Sequence, residues 1–336
     1  MITVKLTCNA DLPEYPFIRQ TPGRKGIWGD CQFFINTPLV ECDWWVVLDD
    51  LPRTESVRCP PGNTIFFNGE PSSVKTYDER FLKQFATVVT CQQTRHPHAI
   101  QTQQSLFWRH QDLTALDMPD SDVARRGYKD YDEISREGQL EKTKMISLIT
   151  SDKAFTPGHR QRLDFAMRLK ERLGESLTLC LRKQGEYEDK WKLTAPFKYH
   201  IAVENSSYQD YWTEKLADPL LFDCYPFYYG CPNVFDYFPQ EALTVIDVAD
   251  FEGSLEIIRS GMKANLYERS LPARREAKAL ILNKYNLFPT VASMIAQAPP
   301  AAPEKLITLK PHAVYHRSFL GRSRRAVRRI TGKMRI

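Results

Sequence analysis

The sequence predicts a mixed α/β protein of two nucleotide-binding-type domains with a cleft between them, and three observations carry that prediction. Short apolar runs alternate with helix-like stretches along the chain. Each run ends in polar or turn residues. A polar, charged stretch from about residue 112 to residue 139 separates two such series, as an interdomain connection would. The 336 residues, 42% hydrophobic and 12% aromatic, suffice for two cores of ordinary size. With 26% charged residues and a mean hydropathy of −0.44, the composition excludes a disordered, fibrous or multi-pass membrane chain.

Taken in order, the first series has strands over residues 2–8, 44–48, 64–68 and 86–90. Open α/β sheets carry functional groups at the carboxyl ends of their strands, so Asn68-Gly69-Glu70-Pro71, after Ile65-Phe66-Phe67, marks a location of interest. Beyond the connection, residues 144–150 read as a buried strand. Pro157-Gly158 then opens a helix whose Leu163, Ala166, Met167 and Leu169 keep roughly helical spacing. Strands at 177–181 and 199–203, a helix over 211–222, a strand at 226–229 and helices at 253–262 and 274–285 complete the second series. A Pro/Ala-rich joint, Ala298 to Pro303, leads into a tail. The predicted division is residues 1–138, 139–297 and 298–336.

The formal charge of +5 is a property of that tail. From His312 to Ile336 there are eight Arg or Lys and no Asp or Glu, leaving 38 basic against 41 acidic residues in the rest of the chain. Eight cysteines, with no CxxC pair, point to reduced thiols rather than a disulfide framework. Met1-Ile-Thr-Val-Lys-Leu-Thr has no charged region followed by an apolar stretch, and no apolar run reaches spanning length, so neither a secretion signal nor a membrane anchor is expected. Asn205-Ser206-Ser207 fits a glycosylation pattern that a chain without such a signal would not use. His96-Pro-His98 lacks further metal ligands at a useful spacing, and Asp49-Asp50 reads as a strand-end turn.

The densest unusual stretch runs from Phe197-Lys198-Tyr199 through Glu204-Asn205-Ser206 and Tyr211-Trp212-Thr213-Glu214-Lys215 to Pro226-Phe227-Tyr228-Tyr229-Gly230. A strand delivers Glu204 and Asn205 to its carboxyl end, and Thr213, Glu214 and Lys215 open the next helix. The free N–H groups of a helix N-terminus, with a lysine beside them, make a site for the phosphates of a nucleotide diphosphate.

In order and spacing these elements resemble the signature of the alpha-1,3-fucosyltransferases, glycosyltransferase family 10, over roughly residues 144–247. The resemblance implies the two-domain GT-B architecture, with acceptor bound by residues 1–138 and GDP-fucose by residues 139–297. It implies that Arg162, in Gln161-Arg162-Leu163-Asp164-Phe165, and Lys215 neutralise the pyrophosphate, although Arg160 lies only two residues away. By the same resemblance Asn205 would bond a phosphate or nearby sugar, Tyr211 would pack on the nucleoside, and Glu214, beside Thr213, would accept from ribose or sugar hydroxyls. The family's base is a Glu in a Gly-Glu-Asn context. Gly69-Glu70-Pro71 keeps the first two residues, which carries that role to Glu70. The implied reaction is an inverting displacement on GDP-fucose by a hydroxyl of an oligosaccharide or lipid-linked glycan, with no obligatory metal. A different GDP-linked sugar, or a nucleotide-sugar binder without turnover, is the alternative.

The tail mixes Phe319, Leu320, Val327, Ile330, Met334 and Ile336 with its basic residues, which as a helix would suit an anionic membrane surface. Some bacterial members of the family carry comparable tails. The expected location is therefore cytoplasmic, peripheral on the inner face of the membrane, and nucleic acid, which charge alone would admit, is not expected as a partner.

Overall fold

The computed structural model describes residues 1–8, 17–105, 107–108, 129–136, 138, 140–152, 157–182 and 190–315. By contacts the chain divides into two units: Met1–Pro13, Phe33–Ile100 and Pro299–Ile336 form one, and Glu14–Gln32 with Gln101–Ala298 the other. Both are α/β and built on largely parallel sheets, as the sequence predicts. The division is not linear, however. Glu14–Gln32 and the residues from Gln101 onward go with the second unit, and the chain beyond the Pro/Ala joint goes with the first.

In the first unit Trp44–Leu48 pairs in parallel with Ile2–Cys8 on one side and Thr64–Phe67 on the other, and Thr87–Thr90 follows. Strands covered on both faces need near-continuous apolar sequence, which Trp-Trp-Val-Val-Leu and Thr-Ile-Phe-Phe supply. Trp45, Phe66, Phe81, Phe85 and Val88 fill the core below them. A second sheet was not legible: Lys305–Leu309 runs antiparallel to Glu55–Cys59, and Leu309 is buried in the same core. The joint therefore leads first into a docked strand. The basic residues from His316 onward, on which the tail expectation rests, lie outside the described residues, as does most of the expected 112–139 connection.

The second unit's sheet runs in the order Leu177–Arg182, Lys144–Ser151, Phe197–Val203, Tyr225–Tyr229, Thr244–Val245, all parallel. Helix Pro157–Leu173 sets Phe165, Ala166 and Leu169 against Ile146, Leu148 and Leu177. Helix Glu214–Leu221 sets Leu216, Leu220 and Leu221 against Ala202 and Tyr228. The expected helix over 211–222 thus begins later, because the Thr213 side chain accepts from the Lys215 N–H and caps it. From Lys144–Ser151 the chain turns to one neighbouring strand, and from Phe197–Val203 to the other side. The carboxyl ends of these two adjacent strands form the topological switch point at which doubly wound sheets bind ligands.

Within that sheet, buried His200 shares a 2.8 Å hydrogen bond between Nδ1 and the Ser147 hydroxyl. Burial, with the Lys190 charge nearby, pushes the imidazole down to about 3. The unfolded chain therefore binds a proton near pH 6.5 that the folded chain refuses. Stability from this group is complete above pH 6.5 and falls by about 1.4 kcal/mol per pH unit toward pH 3. Denaturant titrations at several pH values should show this slope in the wild type and a flatter one in His200→Asn.

None of the eight cysteines is in a disulfide. Among the described residues no helix is long and apolar enough to cross a membrane. His96, half of the His-Pro-His motif, is buried and bonds the Phe85 carbonyl through Nε2 at 3.0 Å.

Candidate functional site

At the switch point strand Phe197–Val203 ends on Glu204, whose side chain is 1% exposed. A buried carboxylate needs partners, and it has several. The Thr213 N–H and hydroxyl both donate to Oε1 at 2.8 Å, the hydroxyl also reaches Oε2 at 2.9 Å, and the Lys215 ammonium lies 3.2 Å from Oε2. Lys215 further contacts the Thr213 hydroxyl at 3.1 Å and Glu214 at 3.4 Å. Burial pushes the Glu204 carboxyl above the ordinary carboxylate range against the pull of Lys215. Glu204 and Glu214 together hold the ammonium above the ordinary lysine range despite its desolvation. The result is a fixed cation at the N-terminus of an eight-residue helix, where the helix dipole also favours an anion.

Arg162 joins this group from helix Pro157–Leu173. It is 7% exposed, whereas Arg160 points to solvent, which settles which of the two faces inward. Its Nη2 donates to the Ser151 hydroxyl at 3.1 Å at the end of the neighbouring strand, and its Nε is buried without a hydrogen-bond partner among the described residues. Desolvation lowers its guanidinium, while the charges of Glu204 and Glu214 act to raise it. A buried donor without a partner and two desolvated cations favour an anion, and the open donor can take one of its oxygens.

The loop between strand and helix presents the remaining candidates. Half-buried Asn205 accepts from the Tyr211 hydroxyl at 3.2 Å, and Tyr211 is 2% exposed. Asp210, in the left-handed region at φ 60°, anchors the loop. Its N–H donates to Asn233 Oδ1 at 2.9 Å, and its carboxylate accepts from Asn233 Nδ2 at 2.8 Å and from the Tyr237 hydroxyl at 2.5 Å. Trp212 packs edge-on against Phe238 and Tyr285 and belongs to the core.

The structure thus gathers Arg162, Thr213, Glu214 and Lys215 around one carboxylate and links Asn205 to Tyr211 beside them. Glu204 and Ser151 were not among the sequence candidates. An acidic residue ending a buried strand was the visible signal for Glu204, and Ser151 had none. Gly230 has a steric role as well: a Cβ there would lie 2.4 Å from the Tyr228 hydroxyl oxygen and 2.5 Å from Glu204 Cγ. Gly230→Ala is expected to cost about 1–3 kcal/mol through overpacking and to displace Glu204. Thermal denaturation should show a lower midpoint than in the wild type.

Glu70 belongs to the first unit, at the carboxyl end of Thr64–Phe67. Its carbonyl accepts from Asn68 Nδ2 at 2.7 Å and Gln92 Nε2 at 2.6 Å, and its side chain is half-buried. Pro71 begins the turn that follows, its carbonyl accepting from Val74 and Lys75. Asp49 packs against Gly69, where a Cβ would come within 3.0 Å of Oδ1, and accepts from Lys75 at 2.9 Å and from the Tyr77 hydroxyl. Among the described residues no group of three or more His, Cys, Asp or Glu is arranged to hold a metal ion.

Comparison with known proteins places this site in context. The family model described as Glycosyltransferase family 10 (fucosyltransferase) C-term matches residues 139–260. Among curated proteins, GDP-fucose protein O-fucosyltransferase 3 of Gallus gallus is 35% identical over 69 residues, 20% of this chain and 14% of the relative. The Homo sapiens protein of the same name is 33% identical over 67 residues, again 20% and 14%. The match spans about one seventh of these relatives' length. Among solved structures, an alpha1,3-fucosyltransferase has 14% identity and a TM-score of 0.49, covering 88% of this chain and 89% of that one. A complex of alpha1,3-fucosyltransferase with GDP-fucose has 15% identity and a TM-score of 0.48 over the same shares.

Proposed function

We propose that the chain, whose residues 139–260 match the model of glycosyltransferase family 10, transfers L-fucose from GDP-fucose to a hydroxyl of a glycan acceptor. One observation carries the donor half of this reading. Two cations, buried Arg162 and half-buried Lys215, lie within electrostatic reach of each other at the switch point of a parallel sheet, inside the matched segment. The diphosphate would lie against them and the helix N-terminus, with Asn205 and Tyr211 on the loop side and Glu214 toward ribose or sugar hydroxyls. The overall plan would be GT-B, with residues 139–297 for the donor and 1–138 for the acceptor.

The reaction we propose is a single inverting displacement. The acceptor oxygen attacks the anomeric carbon from the face opposite GDP, and its proton passes to the Glu70 carboxylate. The bond between anomeric carbon and phosphate oxygen breaks, leaving its electron pair on GDP. Arg162 and Lys215 stabilise the charge that develops there. These residues supply that stabilisation without requiring a metal ion. The tail beyond Tyr315, by composition, suits an anionic membrane surface, which would place the enzyme at the cytoplasmic face of a membrane. Co-sedimentation with anionic but not neutral vesicles is the expected result.

The test is release of GDP from a panel of GDP-sugars by the full-length protein, with and without a mixed oligosaccharide pool. Acceptor-stimulated release from GDP-fucose alone supports the reading. Release from another GDP-sugar reassigns the donor, and GDP binding without turnover on any donor or acceptor supports the binder alternative. A second acceptor class has an observation in its favour, because the relatives that match locally are named as protein O-fucosyltransferases. A folded protein acceptor with exposed Ser and Thr therefore belongs in the same panel.

A further inference from the structure

We propose that the docked C-terminal segment, residues 305–315, is a strap that positions the Glu70 loop for turnover, with His312 and Tyr77 as its positioning residues; this rests on the reading of Glu70 as the base. The segment is fastened at several points within the first unit. Lys305–Leu309 pairs with Glu55–Cys59, and Gln84 clamps Lys310 from both sides, donating to its carbonyl at 3.1 Å and accepting from its N–H at 2.8 Å. His312 is 5% exposed; its N–H donates to Asp50 Oδ1 at 2.9 Å, and its Nε2 accepts from the Asp78 N–H at 2.9 Å. Arg80 closes the segment by donating to the Tyr315 carbonyl at 2.8 Å.

From this strap a continuous path leads to Glu70. The His312 ring lies against Tyr77 and Phe81, with centroids 5.4 Å and 5.2 Å apart. The Tyr77 hydroxyl donates to Asp49, which packs against Gly69 so closely that a Cβ there would come within 3.0 Å of its Oδ1, and the Glu70 carboxylate lies within electrostatic reach of Tyr77. Lys75 holds the other oxygen of Asp49 at 2.9 Å, and Gln92 ties the carbonyls of Glu70 and Lys75 together at 2.6 Å and 2.8 Å. The Glu70 carbonyl, Lys75, Tyr77 and Asp78 are thus referred to a frame whose outer wall is the C-terminal segment. A general base works only when its oxygen is held close to the proton it accepts, so a displacement of about 1 Å can cost about 100-fold. The strap belongs to the first unit and the Arg162–Lys215 group to the second, so its effect should fall on turnover and spare the donor.

The test uses the full chain with His312→Ala, His312→Gln and Tyr77→Phe, and Glu70→Gln as reference. Expected are a kcat about tenfold or more below wild type in His312→Ala with GDP affinity unchanged, near wild-type kcat in His312→Gln, whose amide oxygen can accept from Asp78, and a kcat lowered with GDP affinity unchanged in Tyr77→Phe. Amide exchange supplies a readout independent of activity: His312→Ala should speed exchange at Asp78 and Gly69 and leave Thr213 unchanged. Wild-type kcat and exchange in His312→Ala, with Glu70→Gln inactive, would overturn this inference alone. Full turnover in Glu70→Gln would overturn it together with the reading of the base. Parallel loss of GDP affinity and turnover would show general destabilisation and overturn it too.

Discussion

Lys215→Ala is expected to lower kcat/KM for the donor by about two to three orders of magnitude, the loss seen when one donor to a developing anion is removed from a desolvated site. The ammonium has two roles in the geometry: it is the cation at the helix N-terminus, and it neutralises Glu204 from 3.2 Å. Among the described residues, removing it leaves a buried carboxylate hydrogen-bonded by Thr213 and opposed only by the charge of Arg162, which weakens the attraction of the group for a diphosphate. The double variant Lys215→Met with Glu204→Gln separates the two roles. It restores the local charge balance without restoring a cation, so stability should return while donor turnover stays low. Recovery of turnover in the double variant would show that Lys215 acts only through Glu204. Isothermal titration with GDP, alongside steady-state rates, measures both quantities.

Glu70→Gln is expected to reduce kcat about 100- to 10,000-fold while GDP affinity changes by less than about twofold. The amide keeps the size of the side chain and leaves intact the carbonyl bonds to Asn68 and Gln92, so the loop should keep its path. What would be lost, on the proposed mechanism, is the acceptor for the hydroxyl proton. Rates with saturating donor and acceptor, compared with GDP titration, distinguish this from a folding defect. A kcat within threefold of wild type would remove Glu70 from the mechanism.

The parallel strands were legible because burial on both faces forces apolar runs into the sequence, as in Trp44–Leu48 and Thr64–Phe67. Lys305–Leu309 was not. Its partner strand lies some 250 residues away, and Lys-Leu-Ile-Thr-Leu carries no sign of which edge it meets. Helix Leu287–Ala296 was also missed: it is apolar nearly throughout, without the polar face that periodicity detects, and its cap is Asn286. Within the site Lys215 was named because charge at a helix start implies an anion, whereas Arg162 was named only through the family resemblance. Glu204 was passed over as a candidate because its contribution depends on Thr213 and Lys215 folding back onto it. Gly230 stood in the quoted motif, yet only the positions of Tyr228 and Glu204 show why no side chain fits there.

The interleaved path of the chain bears on how such a protein can be recombined. Glu14–Gln32 belongs to the second unit, where Gln20 bonds the Trp108 carbonyl and accepts from Asn286, Phe17 stacks on Phe107, and Gly23 donates to Asp132. Lys305–Leu309 belongs to the first. A chimera made at a single crossover near residue 138 would inherit mismatched halves of both cores. Exchange of donor specificity between relatives would instead need coordinated junctions near residues 14, 32, 101 and 298, and a library built on those boundaries should yield folded hybrids where single-junction libraries do not.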